Sequence, residues 1–229
     1  MTGIMFLDRR NMFILSLLLL VNLLFWYLAV GRGMAFLYEE NSWIENIQAG
    51  LLLGSAVIFA SSAFSHEARA RVLALLLALL CFIFSFREVD VDELDVPAWL
   101  IFLLAEEGRA IFFVMALGLL LLLLRHATYY LANRMRYLRS SLGIYFLLAA
   151  ILLVVLSGAF EKDLFGSRYH VFYEELSELL AYCMLFAASL DLPRALRRIE
   201  MQAGPQEGYV LLPDFSSRVE VPNVVVEQW

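Results

Sequence analysis

The chain is written in long apolar runs broken by short polar clusters, and the length of the runs decides what they are. Met12 to Val30 holds only Ser16 and Asn22 as polar members. About 20 apolar residues in a row suffice for a helix to cross a ~30 Å hydrocarbon core. Five further runs follow, and together they predict spans over about 12–30, 43–65, 72–87, 105–124, 142–159 and 174–190. The first run is longer than the apolar core of a signal peptide, so it reads as an uncleaved helix. The expected fold is an all-α membrane protein: a six-transmembrane-helix bundle over residues 1–200, followed by a short soluble tail over 201–229.

Two details refine this picture. Pro97 to Leu124 is 28 residues, about 42 Å as one helix, which is more than the bilayer requires. Either Ala98 to Ala105 lies in the interface with Trp99 as anchor, or the helix tilts and carries Glu106, Glu107 and Arg109 inward. At the start of the second span, Ser42 and Glu45 have the spacing of a capping box. Beyond Gln202, Gly204, Pro205, Pro213 and Pro222 punctuate short alternating runs, so the tail is extended or a small hairpin, with a protein partner as one use for it.

Composition agrees with a bilayer as solvent. Apolar residues make up 62% of the chain and mean hydropathy is +0.76, against roughly 45–50% apolar residues in a soluble domain. The net charge of −6 gives no footprint for nucleic acid. Cys81 and Cys183 both lie inside apolar runs and lack the spacing of a disulfide framework or a thiolate zinc site.

Charge sets the expected orientation. Arg9, Arg10, Arg69, Arg71, Arg125, Arg134, Arg136, Arg139, Arg194, Arg197 and Arg198 gather at one set of span ends, against Arg32, Arg87, Arg109, Lys162 and Arg168 at the other. The positive-inside rule then puts both termini in the cytoplasm. The arginine-rich composition and the lack of an Asn-x-Ser/Thr sequon fit a bacterial inner membrane. The opposite side becomes strongly acidic and would concentrate cations.

The candidate chemistry lies on that acidic side. His170, Glu174 and Glu178 are four apart, so on a helix they form one stripe entering the sixth span. Ionisable groups at such depth are costly and are a functional-site hypothesis by default. Glu45, Glu107 and Glu175 stand near the mouths of the second, fourth and sixth helices, where the macrodipole alone would favour a carboxylate. Glu178 lies a turn too deep for that explanation. Arg109 could pair with Glu106, and Arg87 could neutralise Glu107 or Glu178. The run Glu88 to Asp95 reads as a solvated acidic loop, since it lacks the EF-hand pattern.

Three functional classes follow. The first is a carrier or ion-binding protein whose Glu178, Glu174, His170, Glu107 and Arg109 form an outward-facing site for protons or cations. The second is a hydrolase or transferase acting on lipid head groups, with His170, Glu174 and Glu178 holding a divalent metal ion or acting as acid and base. The third is a non-catalytic subunit, in which Gly50 and Gly54 form a small-residue face for a homodimer or for packing within the chain. The three histidines lie at or beyond span ends, which argues against a bis-histidine haem, and no span carries a lysine for retinal. No Gly-x4-Gly-Lys-Ser/Thr loop is present for a nucleotide.

Overall fold

The computed structural model describes residues 9–38, 43–64, 68–89, 91, 95–104 and 108–203. Among these, every regular element is helical. In chain order they are α1 (Arg9–Trp26), which continues as a π-helical turn over Tyr27–Gly31, α2 (Trp43–Ala63), α3 (Ala68–Ser85), α4 (Ala98–Leu104) and α5 (Arg109–Leu124). After these come α6 (Ala127–Ala132), α7 (Arg134–Arg139), α8 (Ser141–Ala150), a π-helix over Ile151–Ser157, α9 (Gly158–Glu161) and α10 (His170–Ala203). Among the described residues, four helical stretches are long and apolar enough to cross a membrane: Met12–Gly31, Trp43–Ala63, Ser141–Glu161 and His170–Ile199. The chain is therefore described as an integral membrane protein. Ser42, Glu106, Glu107 and the tail from residue 204 onward lie outside the described residues.

The centre of the molecule is α10, which packs against α1, α2, α8 and the π-helix that follows α8. Helix α2 pairs in turn with α3, and α3 with α5. Between helices in lipid there is no water to expel, so close packing of small side chains does much of the work. The core shows this chemistry: Ala56 and Ala63 of α2, Ala70, Ala74 and Ala78 of α3, and Ala181, Ala187 and Ala188 of α10 are all buried together. Gly54 belongs to the same seam. A Cβ there would stand 3.3 Å from Phe186 Cε2 of α10, whereas one at Gly50 would meet nothing within 4 Å.

Three departures from the expected spans have physical causes. The stretch expected as the fourth span is two helices, α4 and α5, bent by 43°. Gly108 makes the bend: its N–H donates to Phe102 O at 3.1 Å, and a Cβ would fall 2.6 Å from that oxygen and from Leu103 Cα. The sixth helix, at 34 residues, runs through Pro193 to Ala203 and does not stop near Leu190. Proline removes one backbone donor, but the face that buries Leu192 stays packed beyond it through Ala195, Leu196 and Ile199. Finally, the basic stretch after α5 is not a plain loop, since it folds into α6 and α7, with Ser140 capping α8 by accepting from Gly143 N at 3.2 Å.

The ends of the helices sort into two sets. Tyr38, beyond α1, packs edge-on against Phe172 near the start of α10, with ring centroids 5.5 Å apart. Gln48 early in α2, Arg87 just past α3 and Ser157 at the end of the π-helix also contact the first turns of α10. Arg109, the first residue of α5, donates to Phe86 O at 3.2 Å beside them. At the other end, Ser141 at the start of α8 donates to Asp191 of α10, and Arg71 near the start of α3 donates to Ala63 O at 3.3 Å.

Candidate functional site

The first set of helix ends encloses a cluster of acids around one guanidinium. Helix α3 stops at Ser85, and a turn closed by Arg87 N–H to Phe84 O at 3.0 Å throws the next two side chains over the start of α10. Arg87 Nη2 donates to Glu178 Oε1 at 2.8 Å and lies 3.1 Å from Oε2. Ser157 Oγ donates to the same Oε1 at 2.9 Å. Glu178 is only 4% exposed, yet the Arg87 side chain is 60% exposed, so the arginine reaches inward from the surface to meet a buried carboxylate. Bonds between ionised partners of this kind are roughly twice as strong as neutral ones.

Glu88 is the second acid. Its side chain is 5% exposed, its Oε1 accepts from Tyr182 Oη at 2.9 Å, and it lies 3.6 Å from Arg87 Nε. Burial pushes the Glu88 carboxyl up to about 7, and the negative charges of Glu178 and Glu45 add to the effect. The Tyr182 hydrogen bond and the Arg87 charge pull the other way and only partly offset it. A carboxyl so placed changes protonation state near neutral pH.

Helix periodicity explains the rest of the cluster. Glu174, Glu178 and Tyr182 follow one another at four-residue spacing on one stripe of α10. Glu175 is turned about 100° away, toward α2. There the fully buried Gln48 donates through Nε2 to Glu175 Oε2 at 3.1 Å and to its backbone oxygen at 2.9 Å. Among the described residues Gln48 Oε1 has no hydrogen-bond partner, so the cluster keeps one unmet buried acceptor.

Of the residues expected from the sequence, Glu178 and Arg87 are joined directly, with Glu174 and Glu175 beside them on α10. Glu45 is close enough for its charge to act on Glu88. Arg109 donates to the carbonyls of Leu104 and Phe86. His170 Nδ1 sits 3.2 Å from Ser167 O at the mouth of α10. Glu107 lies outside the described residues. Among the described residues no three of His, Cys, Asp and Glu are grouped so as to hold a metal ion, including the expected trio of His170, Glu174 and Glu178.

Four members of the cluster were not singled out by the sequence reading: Glu88, Tyr182, Ser157 and Gln48. Glu88 belonged to a run read as solvated, but its side chain is buried against Tyr182. The buried Ser141–Asp191 hydrogen bond at the opposite end of α10 was missed as well. Its signal was an aspartate between two leucines of an apolar stretch, Leu190-Asp191-Leu192. The chain matches no protein-family model, and no curated protein or solved structure shows significant similarity to it, so its function has to be argued from these side chains.

Proposed function

We propose that this chain is a six-span protein of a bacterial inner membrane, with both termini in the cytoplasm, that binds and exchanges protons or cations through an acidic site under the outer surface. The observation that carries this reading is the imbalance of charge at the start of α10. Glu45, Glu88, Glu174, Glu175 and Glu178 gather at one end of the bundle, where Arg87 is the guanidinium bonded to the buried pair's carboxylate. Arg87, bonded to Glu178, does not by itself neutralise the buried Glu88 side chain and the half-buried Glu175 as well. The remaining negative charge is met by a proton or a bound cation, because isolated ionised carboxylates in low dielectric are too costly.

Within the cluster the roles divide. Glu178 is tied by Arg87 and Ser157 and acts as the fixed counter-ion. Glu88, whose buried side chain accepts from Tyr182 Oη and lies 3.6 Å from Arg87 Nε, titrates near neutrality and is the group that takes up and releases the proton. Gln48 holds Glu175 in place and offers its free Oε1 to a cation that enters.

Support for the topology comes from the sorting of helix ends. If α4 and α5 count as one bent span and the shorter apolar helix Ala70–Ser85 as another, successive spans alternate in direction. The ends of α1, α3 and the π-helix after α8 then meet the starts of α2 and α10 at the acidic cluster, with Arg109 at the α4–α5 bend beside them. The arginine-rich ends fall on the other side, as the positive-inside rule requires of a cytoplasmic face.

The test is flux. The full chain, reconstituted in liposomes loaded with a pH-sensitive dye and given a sodium or potassium gradient, is expected to move protons in exchange for the cation. Glu88→Gln should lower the rate at least tenfold. Protein-containing liposomes that behave like empty ones, with no pH-dependent cation binding by calorimetry, would sink the reading.

A further inference from the structure

Beside Arg87, a cavity of about 190 Å³ whose described lining includes no residue of α10 lies between the end of α3, the end of α4 and the start of α5. Its walls include Phe84, Phe86, Phe112 and Phe113, and among the described residues its charged members are Arg87 and Arg109. Among the described residues the lining pairs aromatic walls with two cations and holds no acid, which suits an amphiphilic anion. Both arginines are held in position by other bonds. Arg87 is fixed through Nη2 to Glu178, and Arg109 through Nε and Nη2 to the carbonyls of Leu104 and Phe86. Those bonds use only part of each fork, and among the described residues none of them involves Nη1 of either arginine.

We propose that this pocket binds the phosphate-bearing head group of an anionic lipid, the phosphate resting between Arg87 and Arg109 and the acyl chains leaving between α3 and α5. Guanidinium groups match phosphate oxygens in charge and in fork geometry. The cavity holds a head group but not a whole lipid, so the tail must run along the outside of the bundle. The rim provides for this: Phe84 is 37% and Phe113 57% exposed. A soluble phosphate would find the same two cations but gain nothing from those rings. The proposal stands apart from proton exchange, since it concerns Nη1 and the cavity beside Arg87, and affinity for lipid is measured without any flux.

The delipidated full chain in neutral detergent is titrated with dioleoyl phosphatidylglycerol, dioleoyl phosphatidylcholine and inorganic phosphate, and read by native mass spectrometry and by thermal melting. Phosphatidylglycerol is expected to leave one retained adduct and to raise the melting temperature, with phosphatidylcholine at least tenfold weaker. Inorganic phosphate that raises the melting temperature as far as the lipid does would keep the two-arginine site but overturn the lipid as its source. Arg109→Gln should lower phosphatidylglycerol affinity at least fivefold. Phe113→Glu, which alters the rim without touching a hydrogen bond, should do the same should the arginine variant fail to fold. Equal retention of the two lipids, or undiminished phosphatidylglycerol binding by a folded variant, overturns the proposal.

Discussion

Arg87 and Glu178 lie 91 positions apart in the chain and meet with Nη2 2.8 Å from Oε1. The pair is asymmetric, because the arginine side chain is 60% exposed and the glutamate side chain 5%. Arg87→Ala strands a buried carboxylate with Ser157 as its remaining donor. Glu178→Gln leaves a cation that can turn to water. The first substitution should therefore destabilise more than the second, and the double variant should recover part of the loss. The coupling energy expected from a double-mutant cycle is about 1–3 kcal/mol, below that of a fully buried pair because of the arginine's exposure. Unfolding in mixed micelles measures it, and equal losses from the two single variants would contradict the asymmetry.

Glu88 should make stability fall as the pH rises. Its folded pKa of about 7 is above the ordinary carboxylate value of 4.5, so the folded state holds the proton more tightly than the unfolded state does. The resulting stabilisation is complete below about pH 4.5 and is lost as the pH climbs through about 7. Its size is on the order of 2–3 kcal/mol. Melting curves of the wild type against Glu88→Gln between pH 5 and 8.5 isolate it, since the amide cannot titrate. Tyr182→Phe removes a bond that lowers the Glu88 pKa, so in that variant the loss should move to higher pH.

The sequence carried the helices and the acids but not the register that brings them together. Run length alone marked the apolar stretches, because a bilayer demands ~20 residues whatever their order. Glu178 stood out for a similar reason, as a charge one turn too deep for the helix dipole to explain. Tyr182 was within reach, being four residues further along the stripe that already held Glu174 and Glu178. Gln48 was too, as a polar residue three after Glu45. Ser157 was not, because its place depends on a π-helix over Ile151–Ser157 that no apolar pattern announces. Glu88 was misjudged because a run of acids outside a span normally meets water. Here the turn after α3 folds its first acid back onto α10.

Gly108 should be far less tolerant of substitution than Gly118. A Cβ at Gly108 would fall 2.6 Å from backbone atoms of Phe102 and Leu103, which cannot rotate aside, whereas at Gly118 it would meet nothing within 4 Å. Gly108→Ala is expected to cost about 1–3 kcal/mol and to open the bend between α4 and α5. Gly118→Ala should be neutral or slightly stabilising through helix propensity. Thermal melting in detergent separates the two, and a Gly108→Ala variant as stable as the parent would mean that the α4–α5 turn is looser than its hydrogen bond to Phe102 implies.

The proposed orientation can be read in spheroplasts with two engineered cysteines. Leu164 lies in the turn between α9 and α10 on the acidic side and is 70% exposed, while Met135 lies in α7 among the arginines and is 50% exposed. The native Cys81 and Cys183 are buried in the helices and should react little with a membrane-impermeant maleimide. If the arginine-rich ends face the cytoplasm, Leu164→Cys is labelled in intact spheroplasts and Met135→Cys only after lysis. The two sites lie at opposite ends of the stretch Ser141–Glu161, so they must label from opposite sides if that stretch crosses the membrane. Labelling of Met135→Cys alone before lysis would invert the protein and put the acidic cluster on the cytoplasmic face. Labelling of both would mean that Ser141–Glu161 does not span.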